Sequence, residues 1–310
     1  MRRNTGNLKA YLALITAMFL WGSSYIALKI AFMAFDPMTA IFGRMLSAAL
    51  VLALIFPRFR RVRRQSGDLK LLLLMGFFEP CLYYIFEGYA LVYTSASQAG
   101  MVSAMLPLIV TVSAFYLLKE RVCTRTVAGF MLAVAGGIWI SLFSEVTHGA
   151  PRPVLGNFLE FLAICCAAGY TICAKYLSAR YNPLYLTAVQ SFLGTLFFFP
   201  LMLISPAGIP SEFPAAPSLA VLYLGVVVTL VAYTCYNYGV SKISAGQASS
   251  FINFVPVFTI LLGWTILGER FSSIQVVGVV MVFAGVILSQ ITRAGTRKGD
   301  FERIAGINKA

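Results

Sequence analysis

Long apolar stretches, separated by short polar segments, run along the whole chain. A helix needs about 20 mostly apolar residues to cross the hydrocarbon core of a membrane, and ten stretches reach this length. Runs such as 69–78 and 276–288 lack the alternation of polar and apolar residues that marks the strands of a membrane barrel. The pattern therefore predicts an all-α membrane protein with ten transmembrane helices. The predicted spans are 11–33, 37–57, 70–91, 95–118, 126–143, 157–179, 183–204, 218–240, 246–267 and 273–291.

The amino-acid composition supports this prediction. Hydrophobic residues make up 59% of the 310 residues and charged residues only 11%, with a mean hydropathy of +0.83. A soluble domain carries about 25% charged residues, so we exclude a water-soluble enzyme, a secreted disulfide scaffold and a disordered chain. The six cysteines show no metal-ligand spacing, and we predict neither a metal nor another cofactor.

The lysine and arginine residues predict the side of the membrane on which each loop lies, because they are enriched in cytoplasmic loops. The chain has 24 Lys and Arg against 11 Asp and Glu, a net charge of +13. With the N-terminus inside, most of them fall on the cytoplasmic side, above all the Arg58–Arg64 cluster. We therefore predict a multi-pass protein of the inner or plasma membrane with both termini in the cytoplasm. An RNA-binding patch is the less favoured explanation of the cluster, and we expect no nucleic-acid partner.

The chain contains an internal repeat, in which residues 84–138 align without a gap with residues 233–287. Each copy holds five predicted spans, an odd number, so the second copy would begin on the opposite side of the membrane. Accordingly, Glu120 is predicted inside and its counterpart Glu269 outside. Inverted repeats are typical of secondary transporters, which use them for alternating access. The alternative is a duplicated structural subunit or scaffold.

Two stretches carry a recognisable pattern, YALVYTSASQAGMVSAMLPLIVTVSAFYLLKERVCTRTVAGFMLAVAGGIWI at 89–140 and YGVSKISAGQASSFINFVPVFTILLGWTILGERFSSIQVVGVVMVFAGVIL at 238–288. Both resemble the EamA-type domain of the drug/metabolite transporter superfamily, as do Trp21-Gly22 in the first span and Arg44 in the second. The second copy departs from this pattern at the positions of Trp21-Gly22 and Arg44, where it has alanines and a glutamine. The resemblance implies a ten-helix transporter of small organic solutes, often an exporter of amino acids, that works as a monomer or a homodimer.

The repeat and the resemblance together predict five segments. They are a cytoplasmic N-terminus (1–10), a first EamA-type five-helix repeat (11–143), an extracytoplasmic linker (144–156), a second such repeat (157–291) and a basic cytoplasmic tail (292–310).

Six ionisable residues lie inside the predicted spans, where a charge is costly and usually faces the bundle interior. At 1.5 Å per residue, Glu79 lies roughly 15–18 Å from either end of its span, near the membrane midplane. Arg44 and Glu87 lie about 11 Å and about 6 Å from the outer surface by the same count. The other three lie within about two turns of a span end, from where a long side chain can reach water; they are Lys29, Glu160 and Lys175.

Glu79, Tyr83 and Glu87 are spaced so that they share one face of a helix, unless Pro80 bends it. We interpret Arg44 as the partner of Glu87 in a structural or gating ion pair. Glu79 is the better candidate for binding substrate or a coupling proton, because apolar surroundings favour the protonated form of a carboxyl group, which can then bind and release a proton. The alternative is a Glu79 carboxyl that only hydrogen-bonds to a neighbouring helix.

Aromatic residues concentrate on the third span and on its repeat counterpart. The latter carries Tyr236 beside Asn237, and the first span adds Trp21. A cavity lined by these residues would suit an amphipathic solute with an apolar side chain and an ammonium over a ring face; the alternative is lipid-facing aromatic surface. Pro107 and Pro256, at matching mid-span positions, are candidate hinges because proline bends a helix and frees backbone carbonyls.

We therefore expect a secondary-active transporter that exports small organic metabolites such as amino acids by alternating access, with export resting on the resemblance alone. The expected partners are a small-molecule substrate, membrane lipids and a coupling proton. An exchanger of anions such as sugar phosphates is the first alternative, and it would need several cationic groups at the cavity. An intramembrane enzyme is a distant alternative, because the single histidine, His148, lies in an outer loop. The chain lacks a G-x-x-x-x-G-K-[ST] motif, so we expect no ATP hydrolysis.

Overall fold

The computed structural model describes residues 2–55, 67–118, 124–205, 208–243 and 245–304. Within these ranges the chain is helical, and they contain no strand beyond a single β-bridge between Thr147 and Ala150. The predicted all-helical class is therefore confirmed. The Arg58–Arg64 cluster and Glu120 lie outside the described residues.

Fourteen α-helices are present, and short π-helical or 3₁₀ segments join some of them. The α-helices are α1 (Arg2–Ala31), α2 (Pro37–Ile55), α3 (Asp68–Gly76), α4 (Tyr83–Tyr93), α5 (Ala96–Ser103), α6 (Leu106–Leu118), α7 (Thr124–Leu142), α8 (Pro153–Leu177), α9 (Pro183–Ile204), α10 (Ala215–Leu222), α11 (Tyr233–Lys242), α12 (Ala245–Ser250), α13 (Phe254–Leu262) and α14 (Ser273–Ile304), counted over the described ranges.

Seven helical segments of the described chain are long and apolar enough to cross a membrane. They are Leu8–Ala31, Pro37–Ile55, Asp68–Tyr93, Pro153–Leu177, Pro183–Ile204, Ala215–Lys242 and Ala248–Leu267. Three further apolar helices are shorter, and they are Ala96–Val110, Val127–Leu142 and Ser273–Leu288. Length and composition thus identify a multi-pass membrane protein, whereas the number of ten crossings stays a prediction.

The helix that contains the predicted Glu79 site is interrupted at Glu79 itself. Glu79 has extended backbone angles (φ −150°, ψ 115°) inside a π-helical segment, Phe77–Leu82, that joins α3 to α4. Pro80 follows directly, and proline removes a backbone donor and crowds the preceding turn. The ideal helical spacing therefore holds only for Tyr83 and Glu87, one turn apart on α4, and Glu79 leaves their face.

Pro107 and Pro256 each lie in the first turn of an α-helix, and Pro256 is near the middle of the apolar segment Ala248–Leu267. Pro107 is the second residue of α6 and Pro256 the third residue of α13, and the first turn tolerates proline because its N–H groups have no partner within the helix. A break precedes each proline, a turn at residues 104–105 and a 3₁₀ turn at Phe251–Asn253. An interruption of regular α-helix thus lies beside each proline, and their action as hinges stays a prediction.

Helices α7 and α14 cross closely at glycine residues. A methyl group on Gly136 would lie 2.8 Å from the carbonyl oxygen of Gly278, and one on Gly285 would lie 2.5 Å from that of Gly129. Glycine permits this close approach, as it does in other membrane helix pairs. Gly129 and Gly278 are equivalent positions of the repeat, as are Gly136 and Gly285. The Gly136–Gly278 contact and the Gly285–Gly129 contact are therefore equivalent under the repeat.

Replacing Gly136 by alanine is expected to destabilise the protein, whereas replacing the adjacent Gly137 is not. The new methyl at position 136 would also lie 2.8 Å from the backbone nitrogen of Val282, so α14 would have to move. Overpacking of this kind costs about 1–3 kcal/mol. At position 137 the nearest atom is the Met105 sulfur, at an ordinary 3.9 Å. Thermal unfolding in detergent measures the difference, and equal melting temperatures for the two variants would contradict the close crossing.

Candidate substrate site

A small buried cavity lies between helices from both halves of the chain. The volume open to the centre of a water molecule is about 40 Å³, which accommodates a few waters. Aromatic rings and charged groups form much of its wall. The main lining side chains are Trp21, Tyr25, Arg44, Glu79, Tyr83, Tyr84, Glu87, Tyr170, Tyr233 and Tyr236.

The structure brings six of the seven predicted substrate contacts to this cavity. The six residues are Trp21, Arg44, Glu79, Tyr83, Glu87 and Tyr236. The seventh, Asn237, lies behind the wall, where its Oδ1 accepts a hydrogen bond of 2.8 Å from the Tyr170 hydroxyl. The predicted residues therefore form one cluster, and their role in binding stays a prediction.

Arg44 is buried and only partly paired. Its Nε donates to Thr229 Oγ1 at 2.9 Å, and its guanidinium carbon lies 4.3 Å from the centre of the Tyr84 ring. Arg44 Nη1 lies 3.8 Å from Glu87 Oε2, which is close enough for an ion pair but too long for a hydrogen bond. Both atoms lack a hydrogen-bond partner among the described residues.

Trp21 adds a third polar atom without a hydrogen-bond partner. Its ring packs against Tyr236 and Tyr233, with centroid distances of 4.8 Å and 5.2 Å, while the buried Nε1 finds no acceptor in the described part of the chain. Leaving a buried donor or acceptor unpaired costs about 1–3 kcal/mol. Three such atoms in one cavity therefore indicate a place where a polar ligand or water completes the hydrogen bonds.

Glu79 is held by tyrosines on the opposite wall. Its Oε1 accepts a hydrogen bond from the Tyr233 hydroxyl, which also lies 2.8 Å from the Tyr84 hydroxyl. The backbone carbonyl of Glu79 accepts a bond of 3.2 Å from Gln190 Nε2. The interrupted helix at Glu79 thus turns the carboxyl group towards the cavity, and neighbouring helices fix it there.

The contact between Tyr84 and Tyr233 was not predicted, although the sequence held a signal for it. The two residues stand at equivalent positions of the repeat, 149 residues apart, and their hydroxyl groups meet. Equivalent residues meet in this way where they lie on a two-fold axis between two copies. The alignment of the copies could have singled out this pair as central.

Glu160 is a second buried acid, although the sequence predicted that it reaches water. We expected it to reach water from the end of its span, but it has no exposed surface, and its Oε1 accepts a hydrogen bond of 2.8 Å from Tyr25. Glu160 does lie about two turns from the start of α8 at Pro153, as predicted, but Tyr25 of α1 covers its side chain, so the expected access to water is wrong. Its other oxygen, Oε2, has no hydrogen-bond partner among the described residues.

Lys29 and Lys175 lie away from the cavity. Lys175 Nζ donates to two backbone carbonyl oxygens at the end of α11, each at 2.7 Å. Lys29 Nζ donates to the carbonyl oxygen of Gly149 at 2.5 Å. It borders a separate, more open space of about 770 Å³, where His148 also lies. Of the six charged groups in the predicted spans, these two thus make their contacts with backbone oxygens.

Polar contacts at two further places tie distant parts of the bundle together. Glu269 accepts hydrogen bonds from the backbone nitrogens of Ala96 and Ser97, at 2.9 Å and 2.8 Å, at the start of α5. A carboxylate is favourable there because the helix N-terminus carries partial positive charge. Near the start of α3, Arg180 Nη1 lies 2.6 Å from Asp68 Oδ1. Opening the bundle at either place would break these contacts.

Comparison with known proteins identifies relatives that cover nearly the whole chain. The model of the EamA-like transporter family matches residues 8–142 and 154–291. The chain is 31% identical to the uncharacterized transporter YcxC of Bacillus subtilis, over 91% of this chain and 93% of that protein. It is 29% identical to the uncharacterized transporter YetK of the same organism, over 92% and 87%.

Two other comparisons concern a named exporter and a solved structure. A probable terminal-alkyne amino-acid exporter of Streptantibioticus cattleyicolor is 24% identical over 94% of this chain and 96% of its own length. One solved crystal structure of a protein superimposes with a TM-score of 0.64 at 20% identity, over 91% of this chain and 96% of that one. The latter shows a shared fold and nothing further.

Proposed function

The chain belongs to the EamA-like transporter family, and we propose that it is a secondary-active exporter of small zwitterionic metabolites such as amino acids. The observation that carries this proposal is the set of three unpaired polar atoms in one buried cavity, Arg44 Nη1, Glu87 Oε2 and Trp21 Nε1. Two are donors and one is a carboxylate acceptor. A ligand that completes all three needs both an acceptor and a donor group.

An α-amino acid has these groups on neighbouring atoms. Its carboxylate can accept from Arg44 and Trp21, and its ammonium can donate to Glu87, which lies 3.8 Å from Arg44. Bonds between ionised partners are roughly twice as strong as neutral ones, so an entering zwitterion would replace a weak contact by several strong ones. The rings of Tyr236 and Tyr233 supply apolar surface for a side chain. The relative from Streptantibioticus cattleyicolor, a probable amino-acid exporter by name, supports the same class.

The alternative of an anion or sugar-phosphate exchanger is less favoured. Such a site would need several cations, and Arg44 is the one Lys or Arg side chain that lines the cavity in the described part of the chain. Lys29 and Lys175 instead donate to backbone carbonyl oxygens elsewhere. An intramembrane enzyme is less favoured as well, because the relatives are named as transporters.

We further propose that ten membrane spans are arranged as two inverted five-helix repeats. The protein would lie in the inner or plasma membrane, with both termini in the cytoplasm. The meeting of Tyr84 with Tyr233 supports a two-fold axis through the cavity. The two glycine contacts of α7 with α14 support the axis too, because they join equivalent positions of the two copies.

Alternating access would begin from a closed form such as this one. A cavity of about 40 Å³ is too small for an amino acid, so substrate entry requires the bundle to open. Opening on one side would break the contacts of Glu269 with α5, and opening on the other would break the Asp68–Arg180 pair. Pro107 and Pro256, beside the helix breaks, are the positions where we place the hinges.

Counterflow into liposomes tests this function. The reconstituted protein should exchange labelled L-leucine, L-phenylalanine or L-threonine at least ten-fold faster than isopentylamine, which lacks the carboxylate, or 4-methylpentanoate, which lacks the ammonium. Protein-free liposomes give the background. Faster exchange of a sugar phosphate than of every amino acid would favour the anion exchanger, and equal exchange of the amine would remove the role of Arg44 and Trp21 in recognition.

A further inference from the structure

We propose that Glu87 and Glu160 form one proton-binding site beside the substrate cavity, for which a proton and the ammonium group of the substrate compete. The inference rests on the transport function proposed above. It differs from the sequence-based prediction, which assigned the coupling proton to Glu79 and left Glu160 at the membrane edge.

Two tyrosines connect the two carboxyl groups. The Tyr83 hydroxyl donates to Glu87 Oε1 at 2.9 Å, and the Tyr25 hydroxyl donates to Glu160 Oε1 at 2.8 Å. Tyr25 and Tyr83 also line the same cavity. Each tyrosine has a single hydroxyl proton and donates it to its own carboxyl group, so a chain from Glu160 on α8, through Tyr25 on α1 and Tyr83 on α4, to Glu87 forms when the Tyr25 hydroxyl turns from Glu160 towards Tyr83.

Each carboxyl group keeps one oxygen without a hydrogen-bond partner. Glu87 Oε2 and Glu160 Oε2 are both unpaired among the described residues, and the two side chains are 3% and 0% exposed. A buried ionised carboxylate needs a partner for each oxygen, because no water replaces the lost hydration. Glu160 Oε2 has no cationic partner in the described structure and Glu87 Oε2 has only Arg44, at 3.8 Å, so the two oxygens leave a place for a small positively charged ligand.

The charges around the pair leave room for one positive charge. The charged and titratable groups that act on it are Tyr25 from α1, Arg44 from α2, Glu79 from the Phe77–Leu82 segment, and Tyr83 and Tyr84 from α4. Arg44 is the one cation among them and lies beside Glu87, so Glu160 has no positive partner in the described structure. The two carboxylates also repel each other when both are ionised. A single shared proton removes this repulsion.

The hydroxyl chain can move that proton between the two acids. The Glu160 carboxyl passes its proton to the Tyr25 oxygen, Tyr25 passes its own proton to Tyr83, and Tyr83 passes its own to Glu87. Three O–H bonds break and three form, so both tyrosines end neutral and the proton has moved from Glu160 to Glu87. Because Tyr25, Tyr83 and Glu87 line the cavity, the proton can leave to water there.

Competition at this pair of carboxyl groups would couple the movement of the proton to the movement of the substrate across the membrane. The substrate ammonium binds at Glu87 Oε2 in the proposed site, and a proton on the pair occupies the same negative charge. One positive charge is therefore held at a time, either the proton or the ammonium. Alternating access with this rule exchanges one proton for one substrate molecule across the membrane, which is an export mechanism driven by proton entry.

Infrared spectroscopy of the purified full-length protein tests the proton site without any substrate. A protonated buried carboxyl gives a C=O stretching band that disappears when the group ionises. We expect a band whose intensity changes with pH, which is lost in Glu160→Gln and Glu87→Gln and is retained in Glu79→Gln. Glu212→Gln, at an exposed position, is the matched control. A band that survives in Glu160→Gln, or that responds to sodium rather than to pH, would overturn the proposal.

Transport gives an independent readout. In proteoliposomes, a pH gradient should drive labelled L-leucine accumulation in the wild type, and Glu160→Gln should lower the ratio of driven accumulation to exchange by about ten-fold. Tyr25→Phe, which keeps both acids but breaks the hydroxyl chain, should lower the same ratio, so the test survives if Glu160→Gln fails to fold. Absence of leucine exchange in the wild type would contradict the proposed substrate. An unchanged ratio in a folded Tyr25→Phe or Glu160→Gln variant would contradict the proton site.

Discussion

Replacing Arg44 by glutamine is expected to lower L-leucine exchange by at least about 100-fold, which corresponds to about 2.7 kcal/mol. Arg44 is buried beside Glu87 and supplies the cation of the proposed substrate site. Removing one partner of a buried ion pair also leaves the other charge uncompensated, at a cost of about 3–5 kcal/mol to folding. We therefore expect a lower melting temperature in detergent together with the loss of exchange.

The double variant Arg44→Gln, Glu87→Gln separates these two effects. Replacing both members of a buried ion pair by uncharged residues is often neutral for stability, so the double variant should melt closer to the wild type than either single variant. It should still fail to exchange leucine, because both proposed charged contacts are gone. The difference between the single and double variants measures the interaction between the two residues.

Arg152→Gln is the matched control, because the same substitution is made at an exposed arginine. It should change neither the melting temperature nor the exchange rate. If the double variant regains both stability and exchange, the Arg44–Glu87 pair serves only to hold the bundle together. A substrate role would then have to be sought at Trp21 and Glu79.

The sequence located the charged cluster well where the helices are regular. Counting 1.5 Å per residue placed Arg44 and Glu87 at compatible depths on different spans, and they are neighbours in the structure. The same count placed Glu160 within about two turns of a helix end, and α8 does begin at Pro153. The depth did not show that Tyr25 of α1 covers the side chain, because a count along one helix contains no information about its neighbours.

The sequence was less informative where contacts depend on chain breaks or on distant residues. The prediction that Glu79 and Glu87 share one face requires a continuous helix between them. The extended backbone at Glu79 interrupts that helix, so the prediction from spacing does not apply. No local pattern shows that Tyr25 covers Glu160 or that Tyr233 holds Glu79, because these contacts join residues more than 130 positions apart. The repeat identifies equivalent residues, but which of them meet depends on where the two copies pack.

Glu79→Gln is expected to lower the kcat/KM of L-leucine transport by about 100-fold while leaving the fold intact. Glutamine keeps an oxygen that can accept the Tyr233 hydroxyl, so the arrangement of rings around the cavity remains. What is lost is the carboxyl group that lines the cavity opposite Arg44 and Glu87. A hydrogen bond to a charged group such as the substrate ammonium contributes about 1.5–3 kcal/mol. Exchange and gradient-driven accumulation should fall together if Glu79 contacts the substrate, because Glu79 lines the cavity and is not part of the proposed Glu87–Glu160 proton site.

Tyr233→Phe tests whether Glu79 acts directly. The ring would still pack against Trp21, but its hydroxyl would no longer hold Glu79 or reach Tyr84. If Glu79 itself contacts the substrate, Tyr233→Phe should cost much less than Glu79→Gln, and the two effects should add in the double variant. If all three variants lose transport to the same extent, the hydroxyl chain is the functional unit. If a Glu79→Gln variant loses gradient-driven accumulation but keeps exchange, Glu79 is the site of the coupling proton. Loss of a proton site lowers the driven accumulation and leaves the exchange rate unchanged.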